Sequence, residues 1–352
     1  LDWETLWPEQ QQTCETHTDA DYLAMLCYEW MGNENSPEDE GHHNVYYDSC
    51  SGPLAPNTTT GMTDRDDSLW VFMLEAEAET GARSVSVPHA PVYTGYNWRD
   101  RDDLLRPIAE IYSEWGDSSA MNGPASSVYD GLSLGHRMGL IASSDNHDGW
   151  LGNRWSIKDT WGGLAAFVTT DLSRQGIFES LQQRSTYATT GHRPLLGFEV
   201  YQSGAVGRMG WEIVAEQPEF RWTYSAEATA ISRVELLTVR VDGGGPVERL
   251  ALWTPEERDV EGSFALDWDG VDRAVWLFVV EGQNMAWSSP IWLTKSCRNG
   301  RDIAGLCVEG DTALESGAWE LPEPQPQPDC EGCATGPRPG WLAVVLAALL
   351  RR

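Results

Sequence analysis

The sequence predicts a mixed α/β domain followed by a β-sandwich. Up to about residue 193, apolar strand-like runs alternate with segments of helical periodicity, which is typical of parallel-sheet units. From about 194 to 296, short β-prone runs are separated by Gly, Asp and Pro, which favours a sandwich. After Cys297 the chain becomes polar and Pro-rich, so we expect little packed structure there.

Four segments define the first domain, which we place at residues 1–193. SVSV (84–87) and MGLIAS (138–143) are predicted to be strands. DDLLRPIAEIYSEW (102–115) and LSRQGIFESLQQR (172–184) are predicted to be helices, because their apolar residues recur at helical spacing.

Five runs define the second domain, which we place at residues 194–296. Each run is short, rich in β-branched or aromatic residues and bounded by turn formers. They are FRWTYSA (220–226), ISRVELLTVRV (231–241), ERLALWT (248–254), GSFALDWDG (262–270) and AVWLFVVEG (274–282).

The remaining chain divides into a Cys-containing, Pro-rich linker at 297–340 and a short apolar tail at 341–352. The apolar run from Trp341 to Leu350 is about half of the ~20 residues that a helix needs to span a bilayer. Because Arg351 and Arg352 follow it, we interpret it as an anchor or sorting segment. The alternative is a small docking helix.

The charge balance excludes one class of partner. The chain has 54 acidic and 24 basic residues, a formal net charge of −30. Nucleic-acid binding depends on neutralising phosphates with Lys and Arg, so we expect no nucleic-acid partner. Bound metal ions could still reverse the field locally.

The cysteines indicate a cellular compartment, and the N-terminus indicates whether the sequence has a signal peptide. Seven cysteines leave at least one thiol without an internal partner, and the later ones lie in polar surroundings that suit an oxidising compartment. The chain begins at Leu1 without Met and without the apolar run of a signal peptide. We therefore expect its true beginning to be missing.

The stretch IASSDNHDGW (141–150) carries the sharpest candidate site, Asp145 and His147. At this spacing on an extended segment both side chains point to the same side. Carboxylate oxygens and imidazole nitrogens are ligands for Zn, Mn or Fe. Glu29, His42 and His89 also lie near the ends of strand-like segments and extend the candidate ligand set.

Structural roles are the alternative for each of these residues. Glu29 could serve in a salt bridge, His89 could be a loop imidazole, and an Asp-x-His pair by itself is common. His17 and His136 have no partner pattern and are interpreted as structural. Neither a G-x-S-x-G nucleophile elbow nor a Walker-type phosphate loop occurs in the sequence.

Several motifs together resemble the PHP (polymerase and histidinol phosphatase) superfamily, and within it the bacterial secreted proteins of the DUF3604 family. The resemblance covers about residues 1–296. The motifs are CYEW, GHHNV, VPHAP, AEIYSEWG, ASSDNHDG and RSTYATTGHRPLL.

The resemblance implies a distorted (β/α)7 barrel, incomplete at its N-terminus, with two or three divalent metal ions (Zn, Mn or Fe) at the strand C-termini. The implied metal ligands are Glu29, His42, His89, Asp145 and His147. Asp145 and His147 are also the implied catalytic residues.

Other residues receive looser assignments. Glu110 matches an acidic family position and is either a ligand or a neighbour of the ligands, and His43 adjoins His42 and leaves the choice of ligand open. His192 is a candidate for the mouth of the site, although a surface role is the alternative. Arg99 and Arg101 are candidates for steering a phosphate, and a solvated charge run is the alternative reading of both.

The two ends of the chain differ in what they indicate. The superfamily opens with His-x-His and a later Asp-His pair, and nothing before Glu29 matches them, which suggests a truncated N-terminus and poor metal binding by the fragment. The C-terminal tail resembles the sorting signals of myxobacterial surface proteins. We therefore expect a secreted or outer-surface protein, anchored or processed at its C-terminus by the membrane or sorting machinery.

The resulting functional hypothesis is a metal-dependent hydrolase, a phosphoesterase that acts on a small phosphorylated substrate through a metal-activated water at a di- or trinuclear site. One alternative is a catalytically inactive, surface-anchored protein that binds a glycan or an envelope partner. Another is a metal-dependent hydrolase of C–N bonds.

Overall fold

A computed structural model gives the fold. The structure describes residues 3–19, 22–31, 41–56, 66–119, 126–146, 162–202, 205–241, 245–296 and 307–308.

Helices are few and mostly short in the described ranges. They are α1 (Trp3–Thr16), α2 (Asp66–Thr80), α3 (Pro91–Thr94), α4 (Val128–Ser133) and α5 (Arg174–Gln182).

Strands dominate the described part of the chain. The first eight are β1 (Cys27–Met31), β2 (His42–Tyr47), β3 (Ser84–His89), β4 (Ile108–Ser113), β5 (Gly116–Asp117), β6 (Gly139–Ala142), β7 (Leu164–Phe167) and β8 (Thr186–Thr189). The others are β9 (Leu195–Gln202), β10 (Ala205–Arg208), β11 (Glu212–Val214), β12 (Glu219–Ser225), β13 (Ile231–Arg240), β14 (Glu248–Trp253), β15 (Asp259–Ala265), β16 (Arg273–Glu281), β17 (Asn284–Ser288), β18 (Ile291–Thr294) and β19 (Cys307–Val308).

Two small sheets form the first half. Strands β1, β2 and β3 form an antiparallel sheet in that order, with β2 in the centre. In the second sheet β4 lies between β5 and β6 and runs parallel to β6. A shared core that includes Tyr46, Val87, Ile108 and Ile141 packs the two sheets together.

Two larger sheets form the second half and pack on each other. The four-stranded sheet has the order β10-β9-β12-β15, and β13, β16, β17 and β18 belong to a nine-stranded sheet. Phe198, Phe220 and Trp222 of the smaller sheet share a core with Leu236 and Leu277 of the larger one. Four of the five predicted strand runs are confirmed, and the fifth, 262–270, overlaps β15 only over 262–265. The arrangement is compatible with a β-sandwich.

The larger sheet also receives strands from the first half. β7 and β8 pair with each other, and β8 pairs with β17. On this sheet Trp276, Trp287 and Trp292 share a second core with Ile111 and Leu140. The two halves are therefore held by a common sheet and a common core, and the boundary after residue 193 stays a prediction.

The predicted closed (β/α)7 barrel is wrong. The described strands form four open sheets, and the parallel pairs among them are β4 with β6 and β11 with β18 and β19. A barrel of this type needs parallel neighbours throughout, each followed by a helix. Alternating apolar runs reveal elements but do not determine whether neighbouring strands pair parallel or antiparallel.

One predicted helix, 102–115, accounts for part of the error. Asp102 accepts hydrogen bonds from the amides of Leu104 and Leu105 and closes a turn. Pro107 follows and disfavours the helical conformation for the residue before it, so the chain enters strand β4. The other three predictions are confirmed: 84–87 lies in β3, 138–143 contains β6, and 172–184 contains α5.

A disulfide joins Cys14 of α1 to Cys50 after β2, across 36 positions of sequence, whereas Cys27 is not part of a disulfide. In the described ranges, no helix has the length and apolar character that a membrane crossing requires. The predicted linker and tail lie outside the described residues, apart from β19.

Candidate functional site

The three-stranded sheet presents a polar face at one end. Side chains alternate along a strand, so His42, Asn44 and Tyr46 of β2 share one face. The register pairs Asn44 with Glu29 of β1 and His42 with His89 of β3. We call these five residues the site face.

Glu29 and His42 form a buried pair on the site face. Glu29 Oε1 lies 2.7 Å from His42 Nδ1, and the two side chains are 4% and 2% exposed. Acidic groups are rarely buried to this extent unless they are paired or bind a metal. The Glu29 carboxylate therefore has its partner within the site.

His89 lies between two carboxylates. Its Nδ1 is 2.9 Å from Oε1 of Glu110, and its Nε2 is 3.2 Å from Oδ2 of Asp145. Burial by itself lowers the pKa of His89, but the charges of Glu110 and Asp145 and their hydrogen bonds outweigh it and raise the pKa well above its usual value. The His89 ring therefore links the two acids.

Glu110 and Asp145 come from neighbouring parallel strands. Glu110 is inside β4, and Asp145 follows β6, which pairs with β4. Glu110 also accepts hydrogen bonds from the hydroxyl of Ser143 at 2.5 Å and from the amide of Ala90 at 3.2 Å. These contacts fix the Glu110 carboxylate against the loops that follow β3 and β6.

Two residues of these loops have left-handed backbone conformations. Ala90 has a φ of 43° and Asp145 a φ of 47°. Positive φ is uncommon outside glycine, although Asp tolerates it better than Ala. Such conformations concentrate at functional sites, where the surrounding structure holds them in place.

Asn44 and Tyr46 are site residues that sequence reasoning missed. Both are buried, and neither Asn44 Oδ1 nor the Tyr46 hydroxyl has a hydrogen-bond partner among the described residues. An unsatisfied buried polar group costs about 1–3 kcal/mol. The signal that could have found them is the alternation His-x-Asn-x-Tyr, which puts them on the same face as His42.

The Tyr46 hydroxyl is close to the acidic groups of the site. Burial is the main reason that the pKa of Tyr46 is well above its usual value, and the charges of Cys27, Glu110, Asp145 and Glu29 add to the effect. Tyr46 is therefore a neutral hydrogen-bond donor beside three carboxylates.

His43 and His192 contact other groups. The His43 ring lies between Trp30 and Tyr96, at centroid distances of 5.9 and 5.3 Å. His192 Nε2 lies 3.0 Å from the Tyr224 hydroxyl and 3.5 Å from Glu281 Oε2. His43 thus packs on the opposite face of β2, and His192 lies with residues of the second half.

The remaining predicted residues are exposed or outside the described ranges. Arg99 and Arg101 are exposed, and Arg101 pairs with Asp103 at 2.5 Å. His147 lies outside the described residues. His136, for which the sequence predicted a structural role, is buried and contacts Arg106 and the carbonyl of Trp98.

The donor types of this site fit divalent transition metals. Imidazole nitrogens and carboxylate oxygens are the ligands that Zn, Mn and Fe take in proteins. The unsatisfied Asn44 and Tyr46 atoms add buried polar groups on the same face. The acids and imidazoles contact each other here, and in the described ranges no group of three or more His, Cys, Asp or Glu side chains is arranged to hold a metal ion.

A comparison with protein families finds one match. Residues 2–113 match the model described as "Protein of unknown function (DUF3604)". This segment contains Glu29, His42, His89 and Glu110 but not Asp145. Over residues 2–113 the match supports the DUF3604 part of the resemblance.

Curated relatives come from Chlamydia and are described as uncharacterised proteins. The protein of C. pneumoniae is 27% identical over 236 residues, and that of C. trachomatis is 25% identical over 254 residues. These alignments cover 56% and 61% of this chain but only 36% and 39% of the relatives. The chain thus spans well under half of the length of these relatives, and no solved structure matches it.

Proposed function

We propose that the protein is a metal-dependent phosphoesterase. The observation that carries the proposal is a pair of buried groups on neighbouring strands. Glu29 contacts His42, His89 contacts Glu110 and Asp145, and the strand register pairs His42 with His89. Glu29, His42, His89 and Asp145, together with His147, would hold two or three ions of Zn, Mn or Fe. The relationship to the PHP superfamily is part of this proposal and does not include a closed barrel.

The cluster can bind an anionic substrate only if cations balance the negative charge of its carboxylates. Divalent ions would lower the pKa of a coordinated water and neutralise charge on a phosphoryl group. Three buried carboxylates by themselves would repel a phosphate. Bound cations would explain how a chain with a net charge of −30 handles an anion.

Glu110 would act by orienting His89. A metal-binding histidine usually gives its second ring nitrogen to a carboxylate or carbonyl, which fixes the ring. Glu110 contacts Nδ1 of His89, and its own position is held by Ser143 and Ala90. Nε2 of His89 would then serve as the ligand atom.

The test combines metal analysis with a substrate panel on the full-length protein. We expect the purified protein to retain transition metal and to hydrolyse phosphomonoesters or phosphodiesters. Asp145→Asn should lower both metal content and activity, whereas Asp269→Asn, at an exposed ion pair with Arg240, should change neither. A wild-type protein without metal, or an Asp145→Asn variant with normal metal content and activity, would overturn the proposal. Amide substrates in the panel test the alternative of C–N bond hydrolysis.

Location follows from the same proposal. We propose a secreted or outer-surface protein whose C-terminal tail engages the membrane or sorting machinery. The Cys14–Cys50 disulfide supports an oxidising compartment, where such bonds persist. Localisation of the tagged full-length protein, with and without residues 341–352, tests this assignment.

A second candidate, glycan binding, is favoured by an exposed aromatic pair. Tyr93 and Trp115 are 51% and 38% exposed, and their ring centroids are 6.2 Å apart. Exposed aromatic rings offer apolar faces to sugars. Loss of glycan retention in Trp115→Ala but not in Leu134→Ala, another exposed apolar position, would favour this candidate. Equal retention by both variants and the wild type would exclude this role for the pair.

A further inference from the structure

Tyr46 is the residue of the site face that lies farthest from His42 along β2. It follows His42 and Asn44 on the same side of β2, and its register neighbours are Cys27 of β1 and Val85 of β3. The site face thus extends along β2 from the proposed ligand His42 to Tyr46, which belongs to the core shared by the two small sheets.

Tyr46 is fully buried, and its hydroxyl has no hydrogen-bond partner among the described residues. Buried hydroxyls in native structures are nearly always satisfied by protein groups, water or a ligand. Oδ1 of Asn44, which lies between Tyr46 and His42 on the same face of β2, also has no hydrogen-bond partner among the described residues. Two neighbouring unsatisfied groups on one face indicate a place for a polar ligand.

The chemistry of the surroundings defines that ligand. The acids whose charges act on Tyr46 are Glu29, Glu110 and Asp145, and the hydroxyl remains protonated beside them. A protonated phenol donates one hydrogen bond to an acceptor atom. A phosphoryl oxygen is such an acceptor, and cations bound to the acids would allow the anion to approach Tyr46.

We propose that the Tyr46 hydroxyl binds the oxyanion of the substrate, a phosphoryl oxygen, as a hydrogen-bond donor from the protein. This inference rests on the proposed phosphoesterase function and adds a substrate-binding residue to it. The proposed metal ligands contribute imidazoles and carboxylates, and Tyr46 would contribute an uncharged donor to the same site.

The matched control is Tyr47, the next residue on β2. Its side chain lies on the opposite face, and its hydroxyl donates a hydrogen bond to the carbonyl of Pro53 at 2.5 Å. Tyr46→Phe and Tyr47→Phe remove the same atom from adjacent, buried tyrosines. One hydroxyl faces the proposed site, and the other serves the local structure.

The experiment measures three quantities on the full-length protein: metal content, melting temperature, and the affinity of the metal-loaded protein for inorganic phosphate by calorimetry. We expect Tyr46→Phe to keep the wild-type metal content and to lose about 10-fold to 100-fold in phosphate affinity, the range for a hydrogen bond to a charged group. Its melting temperature should equal or exceed that of the wild type, because no hydrogen bond is lost. Tyr47→Phe should show the reverse, a lower melting temperature with unchanged phosphate affinity.

The outcomes separate this inference from the function on which it rests. A wild-type protein that holds no metal and hydrolyses no phosphoester overturns the proposed function and this inference with it. If the wild type does both, unchanged phosphate affinity in Tyr46→Phe overturns the inference alone. A fall in melting temperature as large as that of Tyr47→Phe would also overturn it, because the hydroxyl would then have a structural partner.

Discussion

His42 and His43 are adjacent in sequence, but their rings lie on opposite faces of β2. His42 contacts Glu29 on the site face, whereas His43 packs between Trp30 and Tyr96. The sequence left open which of the two is the ligand, and strand alternation assigns His42 to the cluster.

This arrangement predicts different defects for two similar substitutions. His42→Gln should weaken metal binding by at least about 10-fold, because it removes a proposed ligand. His43→Gln should leave metal affinity unchanged and lower the free energy of unfolding by about 1–3 kcal/mol, because it disturbs a buried aromatic contact. Metal titration and denaturant unfolding measure the two effects. Equal loss of metal affinity in both variants would contradict the assignment.

Glu110 should control metal affinity through His89. Glu110→Gln removes the charge next to Nδ1 of His89, and we expect metal affinity to fall by about 10-fold to 100-fold. Glu281→Gln is the control, because Glu281 is equally buried but lies with His192 and Tyr224. Competition with a metal chelator measures both affinities. A Glu110→Gln variant with wild-type affinity would remove Glu110 from the site.

His136 should make stability depend on pH. Burial lowers its pKa to about 3, and the charges of Arg106 and Arg101 contribute, against the opposing effects of the Trp98 carbonyl and Asp103. In the unfolded chain His136 takes up a proton near its usual pKa of 6.5, whereas in the folded protein it does so only near pH 3. The stabilising contribution of a neutral His136 is therefore complete above pH 6.5 and is lost as the pH falls from there towards 3.

The measurement is the free energy of unfolding of the wild type minus that of His136→Gln, followed from pH 7.5 to 4. We expect this difference to decrease with falling pH by up to about 1.4 kcal/mol per pH unit, the limit for one proton. Subtracting the variant removes the effect of the many titrating carboxylates. A difference that stays constant with pH would show that the pKa of His136 is not depressed.

The Cys14–Cys50 disulfide should stabilise the first half. Closing a loop of 36 positions contributes about 3–4 kcal/mol by restricting the unfolded chain. We expect the Cys14→Ser, Cys50→Ser double variant to lose about that much free energy of unfolding under non-reducing conditions. Cys27→Ala, which removes a thiol that is not part of a disulfide, is the control for cysteine loss. Equal stability of the double variant and the wild type would contradict the prediction.

The strands of the second half could be predicted because their signals are local. Runs such as 231–241 and 274–282 combine β-prone residues with turn formers at both ends, and the structure has β13 and β16 there. Helix α5 was predictable for the same reason: Ser173 caps it, and its apolar residues follow the helical period. The helix predicted at 102–115 was wrong because a turn closed by Asp102 and then Pro107 outweighed the apolar spacing.

The candidate site was only partly predictable. Glu29, His42, His89 and Asp145 were chosen for their residue types and positions near strand ends. Asn44 and Tyr46 were missed because they were treated as ordinary strand residues, although alternation from His42 places them on the same face. His192 was a candidate for the mouth of the site or for a surface role, and its contact with Glu281 joins residues 89 positions apart in sequence.

The sequence by itself determined where strands such as β3, β6, β13 and β16 lie and which of their side chains share a face, because both follow from patterns over a few neighbouring residues. Only the tertiary structure decided that β1, β2 and β3 pair antiparallel, that β8 joins the sheet of the second half, and that no closed barrel forms among the described strands. Pairing direction and sheet order depend on contacts between distant segments, which local patterns do not encode. The meeting of His89 with Glu110 and Asp145 is the product of those contacts.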